Sequence, residues 1–235
     1  MELSTLLWVF GYGSLVWKPG FEHGNLETGH IEGFARRFWQ GNENHRGTPR
    51  KPGRVATLIE DQGEFTYGVA MELKGEKALD YLNNREMKLG GYEQKLTTFH
   101  PINPNKPSFP VLVYIANENS TSWLGPAEPE VISEQVLHSE GPSGHNVEYV
   151  MRLAMWVHQA LPSVVDEHLF AIEESLLQKI YENGLKLEDF MDVDKDYTIE
   201  FRELTDRGVT TNVLSRVLKD YAVQCERRSL KCVKL

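Results

Sequence analysis

Short apolar runs separated by polar turns dominate the first half of the chain. The run at residues 6–10 is rich in aromatic and branched side chains and ends at a glycine, which predicts a buried strand that opens into a tight loop. Further strand-like runs, separated by short polar or Gly- and Pro-bearing turns, lie at 55–60, 65–73, 92–99 and 109–116. Many short strands in succession favour a closed or strongly curved sheet.

In the second half of the chain the apolar residues have helical spacing. Asn146 is a good helix cap, and the residues after it repeat at three- and four-residue intervals. This stripe predicts an amphipathic helix and comprises Val147, Val150, Met151, Ala154, Val157 and Leu161. A second helix is predicted over 164–182. We interpret both stripes as core faces, and the order of elements predicts an α+β fold.

Composition and charge narrow the class of protein. The chain has 235 residues, of which 40% are hydrophobic and 25% charged, so we expect one domain of ordinary core size plus an extension. A net charge of -9 argues against general nucleic-acid binding. No basic segment precedes the first apolar run and no stretch is long enough to span a bilayer, so we expect a cytosolic protein. In that compartment Cys225 and Cys232 are expected to be reduced.

The sequence Phe-Gly-Tyr-Gly-Ser-Leu at 10–15 is a candidate anion-binding loop. Gly11 and Gly13 permit positive φ and expose bare backbone, so that N–H groups and the Ser14 hydroxyl can converge on a carboxylate. It is not a nucleotide loop, because Val16 stands where a Rossmann fingerprint needs a third glycine. A plain turn at the end of a strand is the alternative interpretation.

Glu86 is the candidate proton acceptor. Over residues 76–87 apolar residues recur at helical spacing, which places Glu86 on the same face as Leu79 and Leu82. The glycines at 90–91 predict the helix stop, so the carboxylate also lies near the negative end of the helix dipole. Burial and the dipole both disfavour the ionised form and predict a raised pKa. The alternative is a surface glutamate paired with a neighbouring basic residue.

Five further motifs complete a resemblance to a known family. They are Arg-Arg-Phe-Trp-Gln-Gly at 36–41, His-Arg-Gly-Thr-Pro at 45–49, Lys-Pro-Gly-Arg-Val at 51–55, Gly-Pro-Ser-Gly-His-Asn at 141–146 and Asp-Glu-His-Leu at 166–169. With the two segments above, they resemble the ChaC family of glutathione-specific γ-glutamylcyclotransferases from about residue 8 to about residue 180. The resemblance implies a small mixed β-barrel with flanking helices.

The resemblance also implies the roles of individual residues. Glu86 falls on the family's catalytic glutamate. The substrate-binding loop falls on Val9, Phe10, Gly11, Tyr12, Gly13, Ser14 and Leu15. Arg37, Arg54, Tyr92 and Tyr149 are further candidates for substrate binding. The implied reaction needs no cofactor and no enzyme nucleophile, because the γ-glutamyl amine of glutathione attacks its own γ-carbonyl and releases 5-oxoproline and Cys-Gly.

Two other function classes remain open at this stage. The same fold could act on other γ-glutamyl amines or on γ-glutamyl-modified proteins, or it could bind a protein partner without catalysis. Residues 36–54 carry six basic side chains against one acidic side chain. This stretch could bind RNA or an acidic partner, with Phe38 and Trp39 as stacking surfaces. We favour a mixture of arginines that bond to barrel carbonyls and arginines that read the glycine carboxylate of glutathione.

The end of the chain has a different character, so we expect a catalytic domain over 1–183 and a C-terminal extension over 184–235. The extension holds an EF-hand-like acidic run with Tyr197 at the position that normally needs glycine. The candidate calcium ligands are Asp192, Asp194, Asp196 and Glu203. We favour a solvated acidic run over a calcium site, because such runs are usually exposed.

Overall fold

The structure is a computed structural model that describes residues 7–88 and 91–191. The candidate calcium ligands Asp192, Asp194, Asp196 and Glu203 lie outside the described residues, as do both cysteines and Gly90. Within the described part no helix is long and apolar enough to cross a bilayer.

Five strands form a closed barrel in the order β1-β3-β2-β4-β5. Their bounds are β1 Trp8–Gly11, β2 His23–Asn42, β3 Gly53–Leu73, β4 Tyr92–Pro101 and β5 Phe109–Ala116. The pair β1 and β5 is parallel and the other pairs are antiparallel. The predicted α+β class with a small mixed barrel is therefore confirmed.

The two longest strands differ from the sequence prediction. The runs at 55–60 and 65–73 belong to one strand, β3, and the 20-residue strand β2 was not predicted. Its register against β3 shifts at three places, one of them between Arg37 and Gln40. Each bulge breaks the alternation of inward and outward side chains, so a period of two does not persist along β2.

The helices flank the barrel. Their bounds are α1 Glu76–Leu82, α2 Pro129–Leu137, α3 Asn146–Ala160 and α4 Glu167–Glu182. Short 3₁₀ turns span Ser14–Val16 and Leu187–Asp189, and a small hairpin pairs β6 Glu140–Gly141 with β7 Gly144–His145. The helix predicted over 76–87 ends at Leu82 and continues as a π-helical turn over Asn83–Lys88.

Asn146 does not cap α3 as predicted. The His145 side chain accepts the capping hydrogen bond from Val147 N, and Asn146 is the first helical residue. The Asn146 amide instead bonds to both backbone groups of Arg54, with Oδ1 accepting from N and Nδ2 donating to O. This contact fixes the start of α3 against β3.

One main core joins the barrel interior to the helices. Phe10, Ile31 and Phe99 from the barrel are buried in the same apolar cluster as Met151 and Leu153 of α3. Leu187 and Met191 belong to this cluster too, so the packed unit continues past residue 183.

Candidate active site

A cavity of about 440 Å³, here called the Glu86 cavity, opens beside the end of β1. The loop after β1, the π-helical turn and the start of α3 form its walls. It is lined by Phe10, Tyr12, Gly13, Ser14, Leu15, Trp17, Lys18, Gly20, Asn42, His45, Arg46, Val55, Ala56, Tyr81, Asn84, Arg85, Glu86, Tyr92, Tyr114, Ser143 and Tyr149. The structure thus brings Glu86 together with most of the predicted loop. Val9 and Gly11 do not line the cavity.

The two loop glycines are needed for close packing and not for a left-handed backbone. Neither has a positive φ. A Cβ at Gly11 would lie 2.8 Å from the Leu15 Cβ, and one at Gly13 would lie 2.7 Å from the Tyr149 hydroxyl. Both distances are shorter than a van der Waals contact. The absence of a side chain at Gly13 therefore lets the Tyr149 hydroxyl approach the loop backbone.

Glu86 lies in the π-helical turn with its side chain 16% exposed. Burial raises the pKa of this carboxyl, and the charge of Arg85 acts in the opposite direction. The raised pKa agrees with the expectation. The regular helix from which we expected Glu86 to project is not present. A regular helix through residue 87 does not exist, and the π-helical turn changes the direction in which the residues after Leu82 project.

Arg85 ties the carboxylate to the loop. Its Nε lies 3.0 Å from Glu86 Oε1. One terminal nitrogen donates to Ser14 Oγ at 2.7 Å, and the other donates to the carbonyls of Pro19 at 3.0 Å and Lys18 at 3.3 Å. The alternative interpretation of Glu86 was a surface glutamate paired with a neighbouring basic residue. The ion pair is present, but both side chains line the cavity.

Four tyrosines line the cavity: Tyr12, Tyr92, Tyr114 and Tyr149. Burial raises the pKa of each phenol, to about 12 for Tyr149, and the negative charge of Glu86 raises the pKa of all four further. These groups are therefore protonated near neutral pH and serve as hydrogen-bond donors. Three of the hydroxyl protons already have acceptors, namely the Tyr114 carbonyl, the Ala56 carbonyl and Asn83 Oδ1.

Tyr149 differs from the other three phenols. Its hydroxyl oxygen accepts a hydrogen bond from Ala56 N at 3.2 Å, and within the described residues its proton has no protein acceptor. Ala56 is available because the bulge of β2 puts two residues opposite it, between the pairs Arg37 with Thr57 and Gln40 with Val55. The Tyr149 hydroxyl can therefore donate to a bound molecule.

Of the four further candidates, Tyr92 and Tyr149 line the Glu86 cavity and the two arginines do not. Arg54 is buried, and its guanidinium donates to Gln135 Oε1 and to the carbonyls of Phe38 and Gly125. Arg54 therefore bonds to one carbonyl of the barrel strand β2 and to one in the loop before α2. This is the structural role that we expected for some arginines of this stretch.

Arg37 lines a second cavity of about 550 Å³, formed by β2, β3 and the start of α4 and here called the Arg36 cavity. In it Arg36 bonds to Asp166 Oδ2 at 2.8 Å and to the Tyr67 carbonyl. This cavity is separate from the residues around Glu86.

The rim of the Glu86 cavity carries polar residues that were not predicted as site residues: Lys18, Asn42, His45, Arg46 and Ser143. The Ser143 N–H donates to the His45 carbonyl at 2.9 Å, which joins the two sides of the rim. The side chain of His45 is partly exposed, and the burial of its remaining surface and the nearby cations lower its pKa. The sequence motifs at 45–49 and 141–146 could have indicated these rim residues, because both motifs contribute to the rim.

Among the described residues no group of three or more His, Cys, Asp or Glu side chains could hold a metal ion.

Comparisons with known proteins are consistent with this geometry. The profile of the family described as ChaC-like protein matches residues 7–179. Glutathione-specific gamma-glutamylcyclotransferase 1 of Danio rerio is 48% identical over 180 residues, covering 75% of this chain and 92% of the relative. The protein of the same name from Homo sapiens is 47% identical over 173 residues, covering 72% and 78%.

The fold also has a solved counterpart. The crystal structure of a gamma glutamyl cyclotransferase specific to glutathione from yeast aligns with a TM-score of 0.65 at 29% identity. The alignment covers 73% of this chain and 96% of the yeast protein.

Proposed function

The chain belongs to the ChaC-like protein family, and we propose that it is a glutathione-specific γ-glutamylcyclotransferase that converts glutathione to 5-oxoproline and Cys-Gly. One observation carries this proposal beyond the family. Glu86 is a carboxylate in a cavity, its pKa is raised by burial, and Arg85 connects it to the loop that would hold the substrate. Such a group can accept a proton near neutral pH.

The proposed reaction is an intramolecular acyl transfer. The α-amino nitrogen of the γ-glutamyl group attacks the γ-carbonyl carbon and forms a five-membered ring, while the bond from that carbon to the cysteine nitrogen breaks. Glu86 takes the proton lost by the attacking amine and returns it to the departing nitrogen. Well-oriented ring closures reach effective molarities of roughly 10⁵ to 10⁸ M, so positioning supplies much of the rate.

The neighbouring groups support the developing charge. When the amine attacks, the γ-carbonyl oxygen becomes negative and needs donors that are already in place. The Tyr149 hydroxyl has an unused proton within the described residues and lies against Gly13. The first amides of the 3₁₀ turn at Ser14–Val16 lack acceptors inside that turn. We assign these donors to the γ-carbonyl oxygen and to the α-carboxylate of the substrate.

The residues that enclose the cavity also limit the competing reaction. A γ-glutamyl carbonyl that is open to bulk water could be hydrolysed instead of cyclised. Phe10, Leu15 and Trp17 contribute apolar walls, and Trp17 packs edge-on against Tyr149 with ring centroids 5.4 Å apart. These walls reduce the access of water to the reacting carbon.

The test is to incubate the purified protein with glutathione and measure 5-oxoproline and Cys-Gly. We expect the two products in equal amounts, without added metal or nucleotide. Release of glutamate in place of 5-oxoproline would contradict cyclisation. Activity on γ-glutamyl-alanine but not on glutathione would replace glutathione by another γ-glutamyl amine. Glutathione sets much of the reduction potential of the cytosol, and this supports a cytosolic place of action.

A further inference from the structure

The glycine carboxylate of glutathione needs a cationic partner, and three permanent cations line the Glu86 cavity. They are Lys18, Arg46 and Arg85. Arg85 is engaged with Glu86, Ser14 and two carbonyls. Arg46 pairs with Glu148 and donates to the His145 carbonyl. Both arginines therefore have partners within the protein.

Lys18 has a fixed backbone and an uncommitted ammonium group. Its N–H donates to the Ser14 carbonyl at 2.8 Å, and its own carbonyl accepts from Arg85 at 3.3 Å. The side chain is exposed at the rim, and within the described residues its ammonium group forms no ion pair or hydrogen bond with the protein. Burial and the charges of Arg85 and Arg46 lower the pKa of His45, and the positive charge of Lys18 adds to this effect.

The dimensions of glutathione agree with this position. Two residues separate the γ-carbonyl from the glycine carboxylate, which gives a reach of about 7 Å in an extended chain. A substrate whose γ-glutamyl half lies between Glu86 and the loop would therefore carry its glycine carboxylate toward the rim. A carboxylate at the rim keeps part of its hydration, so binding it there avoids the cost of a fully buried charge.

We infer that Lys18 binds the glycine carboxylate and determines the preference for glutathione over γ-glutamyl compounds that lack this carboxylate. The inference rests on the proposed function and assigns a specificity residue outside the basic stretch at 36–54. Lys18 is not a catalytic residue in this scheme, because it contacts the distal half of the substrate and not the reacting atoms.

The test compares two substrates in two variants. Lys18→Met removes the charge and keeps an unbranched apolar side chain, and Lys77→Met makes the same change at an exposed position of α1 outside the cavity lining. The substrates are glutathione and the analogue whose glycine carboxylate is a carboxamide. For Lys18→Met we expect kcat/KM on glutathione to fall about three- to fivefold through a higher KM, the upper end of the range for a solvent-exposed ion pair.

On the carboxamide, Lys18→Met and the wild type should agree within about twofold, and Lys77→Met should match the wild type on both substrates. An equal loss on both substrates would overturn the inference, as would an unchanged KM for glutathione in Lys18→Met. A wild type that uses both peptides equally would also overturn it and leave the proposed function intact. A wild type that forms 5-oxoproline from neither peptide would instead contradict the proposed function.

Discussion

The Glu86 cavity and the Arg36 cavity both contain ionisable groups that are largely buried. The two cavities differ in how the charges of these groups are compensated. In the Arg36 cavity, the Arg36 side chain is 1% exposed and pairs with Asp166, the residue that also caps α4. His168 accepts a hydrogen bond from Phe38 N at 3.0 Å, and burial lowers its pKa to about 4, so it is neutral at physiological pH. These contacts join β2 to α4.

The proposed function assigns the chemistry to the Glu86 cavity. Burial raises the pKa of Glu86, and one phenol of this cavity has an uncommitted proton within the described residues. In the Arg36 cavity the charges of the cation and the carboxylate compensate each other. The state of the ionisable groups therefore distinguishes the two cavities, and substitutions in them should affect different quantities.

The largest expected effect is on catalysis, from Glu86→Gln. Glutamine keeps the side-chain volume and a carbonyl acceptor but cannot take the ammonium proton. General-base catalysis is worth about 10² to 10⁴ in rate, so kcat should fall by at least about 10². Binding of glutathione, measured by calorimetric titration, should survive. The matched control is Glu64→Gln, the same change at an exposed carboxylate that lines the Arg36 cavity, and it should keep wild-type kcat.

If Glu86→Gln retained about a third of wild-type kcat, proton transfer would belong to another group. His45 would be the next candidate, because it also lines the cavity and its lowered pKa keeps it neutral. The group that accepts the proton would then lie at the rim of the Glu86 cavity and not in the π-helical turn.

The second effect is on stability, from Asp166→Asn in the Arg36 cavity. Asparagine can still cap α4 through the bond now made to Leu169 N, but it leaves Arg36 buried without a counter-charge. Removing one partner of a buried pair costs about 3 to 5 kcal/mol. Urea unfolding should show a loss in this range, while kcat per folded molecule stays within about twofold.

Asp61→Asn provides the comparison for stability, since Asp61 is exposed on β3 and surface changes are usually within about 0.5 kcal/mol. A tenfold loss of kcat in folded Asp166→Asn would show that the Arg36 cavity contributes to catalysis. The separation of roles between the two cavities would then be wrong.

The sequence predicts those parts of the fold whose apolar spacing is regular. Strands β1, β4 and β5 and the helices α3 and α4 have such spacing, and the structure confirms them. The ends of β5 are as predicted, and the others differ by a few residues at one or both ends. Strand β2 was missed because its bulges interrupt the pattern and because arginines that face the Arg36 cavity look like surface charge. Burial of a paired arginine depends on Asp166, which lies 130 residues away.

The site was predictable in its members more than in its geometry. The motifs that resemble the ChaC family point to Glu86 and the loop, but helical spacing gave no sign of the π-helical turn that presents Glu86 to the cavity. Nor could the count of basic residues at 36–54 show which cations are engaged. Arg54 is bonded to the carbonyls of Phe38 and Gly125, whereas Lys18, a single lysine outside the cluster, has an uncommitted ammonium group within the described residues.

The smallest predicted effect separates the two tasks of Arg85. Its charge favours the ionised form of Glu86 and so lowers that pKa, while its terminal nitrogens hold the loop through Ser14 and Pro19. In the wild type, kcat/KM should fall as the pH drops through the pKa of Glu86, since the protonated carboxyl cannot accept a proton. Arg85→Gln removes the charge, which raises that pKa and moves the acidic limb to higher pH.

Arg85→Lys is the control, because lysine keeps the positive charge but lacks the planar guanidinium group that makes these hydrogen bonds. Its acidic limb should stay near that of the wild type, whereas KM should rise in both variants by about three- to tenfold, the worth of one or two hydrogen bonds. The measurement is a pH profile of kcat/KM for all three proteins with glutathione. If Arg85→Gln moved the limb to lower pH, Arg85 would not stabilise the Glu86 carboxylate. An unchanged KM in both variants would show that the loop holds its shape without Arg85, and the tyrosines and the bulge at Ala56 would then suffice to organise the cavity.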